Sequence, residues 1–258
     1  MSSLRARAVS GIPELHAGDD LAALIVAATG PEQPSDDQVV AIAHTAVSKV
    51  EGAIRMLAEV QPSEQALQLA AAAADAGVDH ATDACAIQVA LDESSEVLRA
   101  ERGVLICRTR HGFVCANAGV DASNTGREGS LVLLPRDPDA SARRIRARIG
   151  DLTGATPAVL ISDSFGRAWR HGQLDVCIGL AGMQPLDDWR GRTDASGMLL
   201  RATWLAVADA AAAAADLARA KDSREPVVLI DGLQRFVCDG DGPGAAALLR
   251  PTDEDLFR

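Results

Sequence analysis

Pro157-Ala-Val-Leu-Ile-Ser162-Asp-Ser164-Phe-Gly-Arg167-Ala-Trp-Arg170 is a short apolar run that empties into an acid, hydroxyls and two arginines. Its first six residues read as a strand, because a β-branched apolar run bounded by a breaker and by polar residues suits a pleated, buried surface. Just upstream, Asp137-Pro138 sets a capping acid before a proline at a first helical position, and 140–149 then reads as a helix running to Gly150. Downstream, 174–180 is another strand, and 103–107, 113–116 and 130–134 are strands ahead of the helix. Further out, 4–50 reads as strand, turn, helix, strand, with Gly18-Asp19 capping a helix over 21–28 and 39–43 as an apolar strand. Residues 62–100 read as helical, with Ser63 as cap, Gly77 as stop, and a second helix through Ile87, Leu91 and Leu98. The chain closes on an Ala-rich helix over 203–220, a strand over 226–230 and a polar, Gly-rich tail. Helices and strands alternate irregularly without a fixed repeat, which predicts an α+β fold of mixed sheets with helices. One domain is expected over 1–258, with a smaller helical subdomain at about 62–100.

Composition narrows the function classes. Of 258 residues, 25 are Lys or Arg and 36 are Asp or Glu, a formal charge of −11, which opposes a nucleic-acid binder because phosphate neutralisation needs a basic face. Aromatics make up 3% with no tyrosine, so a platform for stacking bases is not expected. The Ala-rich run near the C-terminus is broken by Asp209, Asp216 and Arg219, too polar for a membrane span of ~20 apolar residues. The first ten residues lack the apolar core of a signal peptide, which predicts a cytoplasmic protein. Five cysteines without C-x-x-C spacing fit neither a disulfide framework nor a thiolate zinc site, and the three in strand-like runs, Cys107, Cys115 and Cys177, read as buried thiols.

No G-x-x-x-x-G-K-[ST], H-E-x-x-H or G-x-S-x-G motif occurs, which disfavours P-loop, zinc-protease and α/β-hydrolase chemistry. Gly240-Asp-Gly-Pro-Gly244 only loosely resembles a dinucleotide turn and reads as a flexible loop. The richest stretch runs from Arg108 to Asn124, where a strand empties into a loop holding Asn117, Asp121, Ser123 and Asn124 around Gly119. All four polar side chains offer oxygen, so the loop could ligate a hard cation, and Asp163-Ser164 at another strand end could share it. Mg²⁺ and Mn²⁺ favour such donors together with a phosphate. The competing assignment is a pair of Asx turns. Arg167 and Arg170 could clamp a carboxylate or phosphate bidentately, or pair with surface acids. Lys49 could meet a phosphate or be solvated. The arginines over 143–148 spread around their helix and read as solvated.

Several of these stretches together resemble one family, the coenzyme F-420:L-glutamate ligases, or gamma-glutamyl ligases. The resemblance runs through Gly11-Ile-Pro13, Val47-Ser-Lys49-Val-Glu-Gly52, Arg110-His-Gly112, Asn117-Ala-Gly-Val-Asp121-Ala-Ser-Asn124, Leu134 to Arg143, Asp163-Ser-Phe-Gly-Arg-Ala-Trp-Arg170, Asp175 to Gly182 and Pro226 to Leu233. It implies GTP-dependent amide formation between a carboxylate of a deazaflavin precursor and L-glutamate, through an acyl phosphate, by a homodimer. It also implies a divalent metal, Mn²⁺ or Mg²⁺, together with K⁺. Carried over by motif, Asp121, Asp163 and Ser164 are metal ligands, and Gly11, Ile12, Pro13, Glu14, His44, Thr45, Lys49 and Asn124 contact the nucleotide. Asp121, Asp163, Arg167 and Arg170 form the expected catalytic set. Neither the C-terminal flavin reductase domain of the longer actinobacterial form nor a flavin is expected.

The sequence also departs from the family pattern. Ala210 follows Asp209 where the pattern has Asp-Glu, Asp231 precedes Gly232 where it has Arg-Gly, and Ala168 stands for a proline. Lys221 stands where members vary, and Ser164 for threonine keeps the hydroxyl. Changes at Ala210 and Asp231 motivate two alternatives, a diverged amide ligase for another small carboxylate and a catalytically silent nucleotide-binding dimer.

Overall fold

Val39–Ala43 and the first four residues of Ala158–Arg167 are apolar at every position, so neither face of either strand can be left to water. In the computed structural model, which describes residues 3–77, 83–123 and 125–255, these strands lie side by side and parallel at the centre of a five-stranded sheet. In chain order the elements are β1 (Arg5–Ala8), α1 (Leu21–Thr29), β2 (Val39–Ala43), α2 (His44–Val50), β3 (Ile54–Met56), α3 (Glu64–Asp75), α4 (Ala84–Asp92), β4 (Ser94–Glu101), β5 (Val104–Thr109) and β6 (Val114–Ala116). There follow β7 (Ser130–Val132), α5 (Pro138–Thr153), β8 (Ala158–Arg167), β9 (Arg170–Ala181), β10 (Leu186–Asp188), β11 (Trp204–Ala206), α6 (Val207–Ala218) and β12 (Val227–Asp231). The central sheet has the order β1-β12-β2-β8-β9, antiparallel except for β2 and β8.

Alternation along each strand divides the core in two. Val40, Ile42, Val159, Ile161, Val227 and Leu229 face α1 and α5, burying Leu21, Ile25, Ile145 and Ile149. Their neighbours Val39, Ala41, Leu160, Val228 and Ile230 face α6, which meets them with Ala208, Ala211, Ala212 and Ala215. Small alanines let α6 lie close to the sheet, and both faces are covered, as a continuous apolar strand demands. Away from this sandwich, α3 and α4 pack on the sheet β4-β5-β6 around Ala66, Ile87, Ala90, Leu105 and Cys107. The expectation of an α+β fold with mixed sheets holds. No helix among the described residues is long and apolar enough to cross a membrane.

The caps follow local chemistry, with shifts at some ends. Ser63 and Asp137 cap α3 and α5 as expected, accepting from Ala66 N at 3.3 Å and Ala140 N at 2.9 Å. Asp20, one residue beyond the expected cap, serves α1 through Ala23 N at 3.0 Å. Helix α5 runs through Gly150 and stops at Gly154, whose φ of +80° a glycine adopts without strain. Leu98 lies in β4 rather than on a helix. Its partner strand β5 supplies the hydrogen bonds that a continued helix would have made internally.

Two features of β8 and β9 set up the site. Strand β2 ends at Ala43, opposite Ser162, so beyond that point β8 and β9 continue as a two-stranded ribbon. Asp163 therefore stands inside a strand, and the expected strand end at Ser162 is only the edge of the wider sheet. The ladder pairs Ile161 with Gly179 and Ser162 with Cys177, leaving Ile178 as an extra residue that bends β9. Gly179 is required there, since a Cβ would lie 2.6 Å from the Pro138 carbonyl oxygen at the start of α5.

Candidate active site

At one edge of the sheet β2 ends, the antiparallel β12 begins and β8 runs on beyond its last partner residue in β2. Above this edge lies a cavity of about 1140 Å³. Its walls come from the segment holding Ile12, Pro13 and Glu14, the start of α2, the loop after β6, the Ser162 to Gly166 part of β8, and the connection between α6 and β12.

Asp163 and Asp121 both line it. Asp163 Oδ1 accepts from the Ser164 backbone N–H at 2.7 Å and lies 3.3 Å from His44 Nε2, with the imidazole itself buried at the first residue of α2. The Nδ1 atom of His44 is buried without a hydrogen-bond partner among the described residues. Asp121 is fixed by paired backbone bonds with Val132 at 2.9 and 2.8 Å, and its Oδ1 accepts from Ser123 N at 2.7 Å. Each carboxylate thus commits one oxygen to the backbone. The other oxygen makes no hydrogen bond among the described residues. Two carboxylates on one cavity are the donor set that Mg²⁺ or Mn²⁺ takes when substrate phosphates complete the shell. Among the described residues no group of three or more His, Cys, Asp or Glu side chains is placed to hold a metal ion, so a metal here would need oxygens from the substrate phosphates.

Behind Asp163 lies a polar network that spans the sheet edge. Asp175 of β9, 1% exposed, accepts at Oδ2 from Ser162 Oγ at 2.9 Å and from Arg219 Nη2 at 2.7 Å. Its Oδ1 accepts from Ser164 Oγ at 2.6 Å, and that hydroxyl in turn accepts from Lys221 Nζ at 2.6 Å. Arg219 also donates to the Pro226 carbonyl at 3.0 Å, tying α6 to β12. A buried charge is tolerated only when paired and hydrogen-bonded, and here the pairing rigidifies the strand that presents Asp163. Sequence reading missed Asp175, Arg219 and Arg224. The available signal was the charged segment Arg219-Ala-Lys-Asp-Ser-Arg-Glu225, set between a strong helix and a strand.

On the opposite side of the cavity Lys49 Nζ donates to Glu14 Oε1 at 2.6 Å. That bond holds the Glu14 carboxyl below the usual carboxylate range. Gly126 lies over the pair, where a Cβ would come within 2.8 Å of Glu14 Oε1. The expected nucleotide contacts Ile12, Pro13, Glu14, His44, Thr45 and Lys49 are thereby gathered on one cavity, with Gly11 just outside its lining. Asn124 lies outside the described residues. Cys115 also lines the cavity; burial, then the charge of Asp163, pushes its thiol up to about 12.

Residues 11–232 match the family model described as F420-0:Gamma-glutamyl ligase. The chain belongs to this family. It is 42% identical over 253 residues to a protein of Methanothermobacter thermautotrophicus named Coenzyme F420:L-glutamate ligase, covering 97% of each chain. Proteins of the same name from Halobacterium salinarum and Methanocaldococcus jannaschii are 40% and 39% identical. Those alignments cover 99% and 86% of this chain, and 96% and 85% of the relatives.

Within this gamma-glutamyl ligase fold, Arg167 and Arg170 stand apart from the cavity. They face each other across the tip of the β8–β9 ribbon, exposed, and the Arg167 guanidinium donates to the carbonyls of His171 and Gly172. Two of the departures are also remote from it. Ala210 is exposed on α6, while its neighbour Asp209 accepts from Cys177 N at 2.9 Å, burial holding that carboxyl above its usual range. Asp231 accepts from Gln38 Nε2 at 2.7 Å, at the far end of β12 from Pro226. The Gly240–Gly244 stretch is no free loop: Ala245 N donates to Asp139 Oδ1 at 2.9 Å, packing its end on α5.

Proposed function

We propose that this chain joins L-glutamate to a carboxylate of a deazaflavin coenzyme precursor, using GTP, a divalent ion (Mn²⁺ or Mg²⁺) and K⁺. The observation that carries the reading is the near full-length similarity to several proteins named Coenzyme F420:L-glutamate ligase. The cavity supports it by setting two carboxylates and Lys49, Arg219, Lys221 and Arg224 around one volume. A carboxylate resists attack by an amine until one oxygen becomes a leaving group, and phosphorylation provides that. The precursor carboxylate would attack the γ-phosphate of GTP, breaking its bond to the β–γ bridging oxygen so that GDP leaves, and the deprotonated amine of glutamate would then displace inorganic phosphate from the acyl phosphate. No serine or cysteine nucleophile is needed. Asp121 and Asp163 would hold the divalent ion, whose charge, when bound, neutralises the phosphate oxygens. His44 would fix the Asp163 carboxylate, and Lys49, released from Glu14, would bind a phosphate.

The same resemblance leads us to assign a homodimer working in the cytoplasm. A changed acceptor has no support from Ala210 or Asp231, since neither lines the cavity. Purified protein incubated with Mn²⁺, K⁺, L-glutamate, the unglutamylated precursor and either GTP or ATP tests the proposal. The expected result is a precursor heavier by one glutamyl residue with GTP; no product, or equal yield without nucleotide, overturns it.

A further inference from the structure

Ser164 is expected as a metal ligand, yet its hydroxyl already carries a cation. Lys221 Nζ lies 2.6 Å from Ser164 Oγ, 3.2 Å from Asp216 Oδ1 and 3.7 Å from Asp175 Oδ1. Three oxygens from three residues thus surround one ammonium at the cavity edge. The Ser164 O–H points at Asp175 Oδ1, so its lone pairs face outward, and Lys221 takes one of them. A Mn²⁺ on the remaining lone pair would sit ~2.1 Å from the oxygen that Lys221 Nζ contacts at 2.6 Å, which sets a dication against an ammonium. Asp175 is already balanced by Arg219 and Asp216 by Lys221 itself, so neither carboxylate is left to offset a dication there.

We propose that Lys221 is a resident cation which takes the place of a metal ion beside Ser164, so that divalent metal binds on the Asp121 and Asp163 side alone. This rests on the metal assignment under the proposed function. The lysine is tethered, so its charge is present before nucleotide or metal arrives, and the need for free metal falls accordingly. Its side chain is 68% exposed, so it can be exchanged without opening the core.

Equilibrium dialysis of the full chain with Mn²⁺ and a non-hydrolysable GTP analogue, counting both per chain, tests this in the wild type, Lys221→Gln and Lys221→Arg. Lys221→Gln is expected to bind one more Mn²⁺ per chain than the wild type, while Lys221→Arg keeps the wild-type count. An unchanged or lower count in Lys221→Gln, or a gain in Lys221→Arg as well, overturns the inference and leaves the Asp121 and Asp163 assignment standing. No bound Mn²⁺ in any of the three overturns both.

Discussion

Asp163→Asn keeps the side chain's size and the bond from Ser164 N but removes the charge facing the cavity. GTP turnover is expected to fall by about 100-fold or more, since metal-borne charge stabilisation is worth several kcal/mol, with circular dichroism unchanged. A folded variant with near wild-type turnover would remove Asp163 from the chemistry. Lys49 and Glu14 make an opposed pair of tests. Lys49→Ala should weaken GTP binding by about 1.5–3 kcal/mol, the range for a hydrogen bond to a charged group. Glu14→Gln should leave that affinity equal or tighter by releasing Lys49, and calorimetry on both variants separates a phosphate contact from a structural ion pair. Cys115 gives a pH test. Burial pushes its folded thiol up to about 12, above the ordinary ~8.5, so the folded state holds its proton longer. Stability from this group is full below ~8.5 and is lost as pH rises toward the folded value. The urea midpoint should therefore fall between about pH 8 and 10, and less steeply in Cys115→Ala; identical slopes would contradict the assignment. At this scale the sequence exposed Asp121, Asp163 and Lys49 because each sits at the end of a recognisable local pattern. Asp175 and Arg219 escaped because their bond joins residues 44 apart, and spacing says nothing about such a pair.

Gly179 is the position where packing between elements decides the sign of a substitution. At an unconstrained site Gly→Ala stabilises by about 0.4–1 kcal/mol through the unfolded chain. Here the new Cβ would lie 2.6 Å from the Pro138 carbonyl oxygen, so α5 must move off β9. Gly179→Ala is therefore expected to cost about 1–3 kcal/mol, read as a lower urea midpoint with an unchanged slope. An equal or higher midpoint would show that the contact is slack. Elements with strong local signals were legible: the Asp137-Pro138 start of α5, the Ser63 cap of α3, and the apolar runs of β2, β8 and β12. Leu98 was misplaced because an apolar residue on a helical spacing also fits one face of a strand, and pairing with β5 settles which. The reach of β8 past Ser162 was hidden for a similar reason. Asp163 to Arg167 lack an apolar pattern, and only the partner strand β9 keeps them extended.

Across the whole molecule, covering both faces of one sheet leaves its polar edge as the place where chemistry can gather. Segments near residues 12, 44, 121, 163 and 221 meet there because β2 ends, β12 begins and β8 outruns β2 at that edge. The α+β class was legible from irregular alternation, and the family from the ordered series of motifs. The convergence itself was not, since strand order is a long-range property. Nor was the isolation of Arg167 and Arg170, which sit only a few residues from Asp163 but at the tip of a ribbon. On the proposed function, this cavity activates a carboxylate by phosphoryl transfer before amide formation. A precursor labelled with ¹⁸O in both oxygens of the reacting carboxylate, given to the protein with GTP, Mn²⁺ and L-glutamate, should then pass label to the released phosphate, measured by mass spectrometry. One ¹⁸O per phosphate, matching the amide formed, is expected; amide formation with unlabelled phosphate would rule out an acyl phosphate.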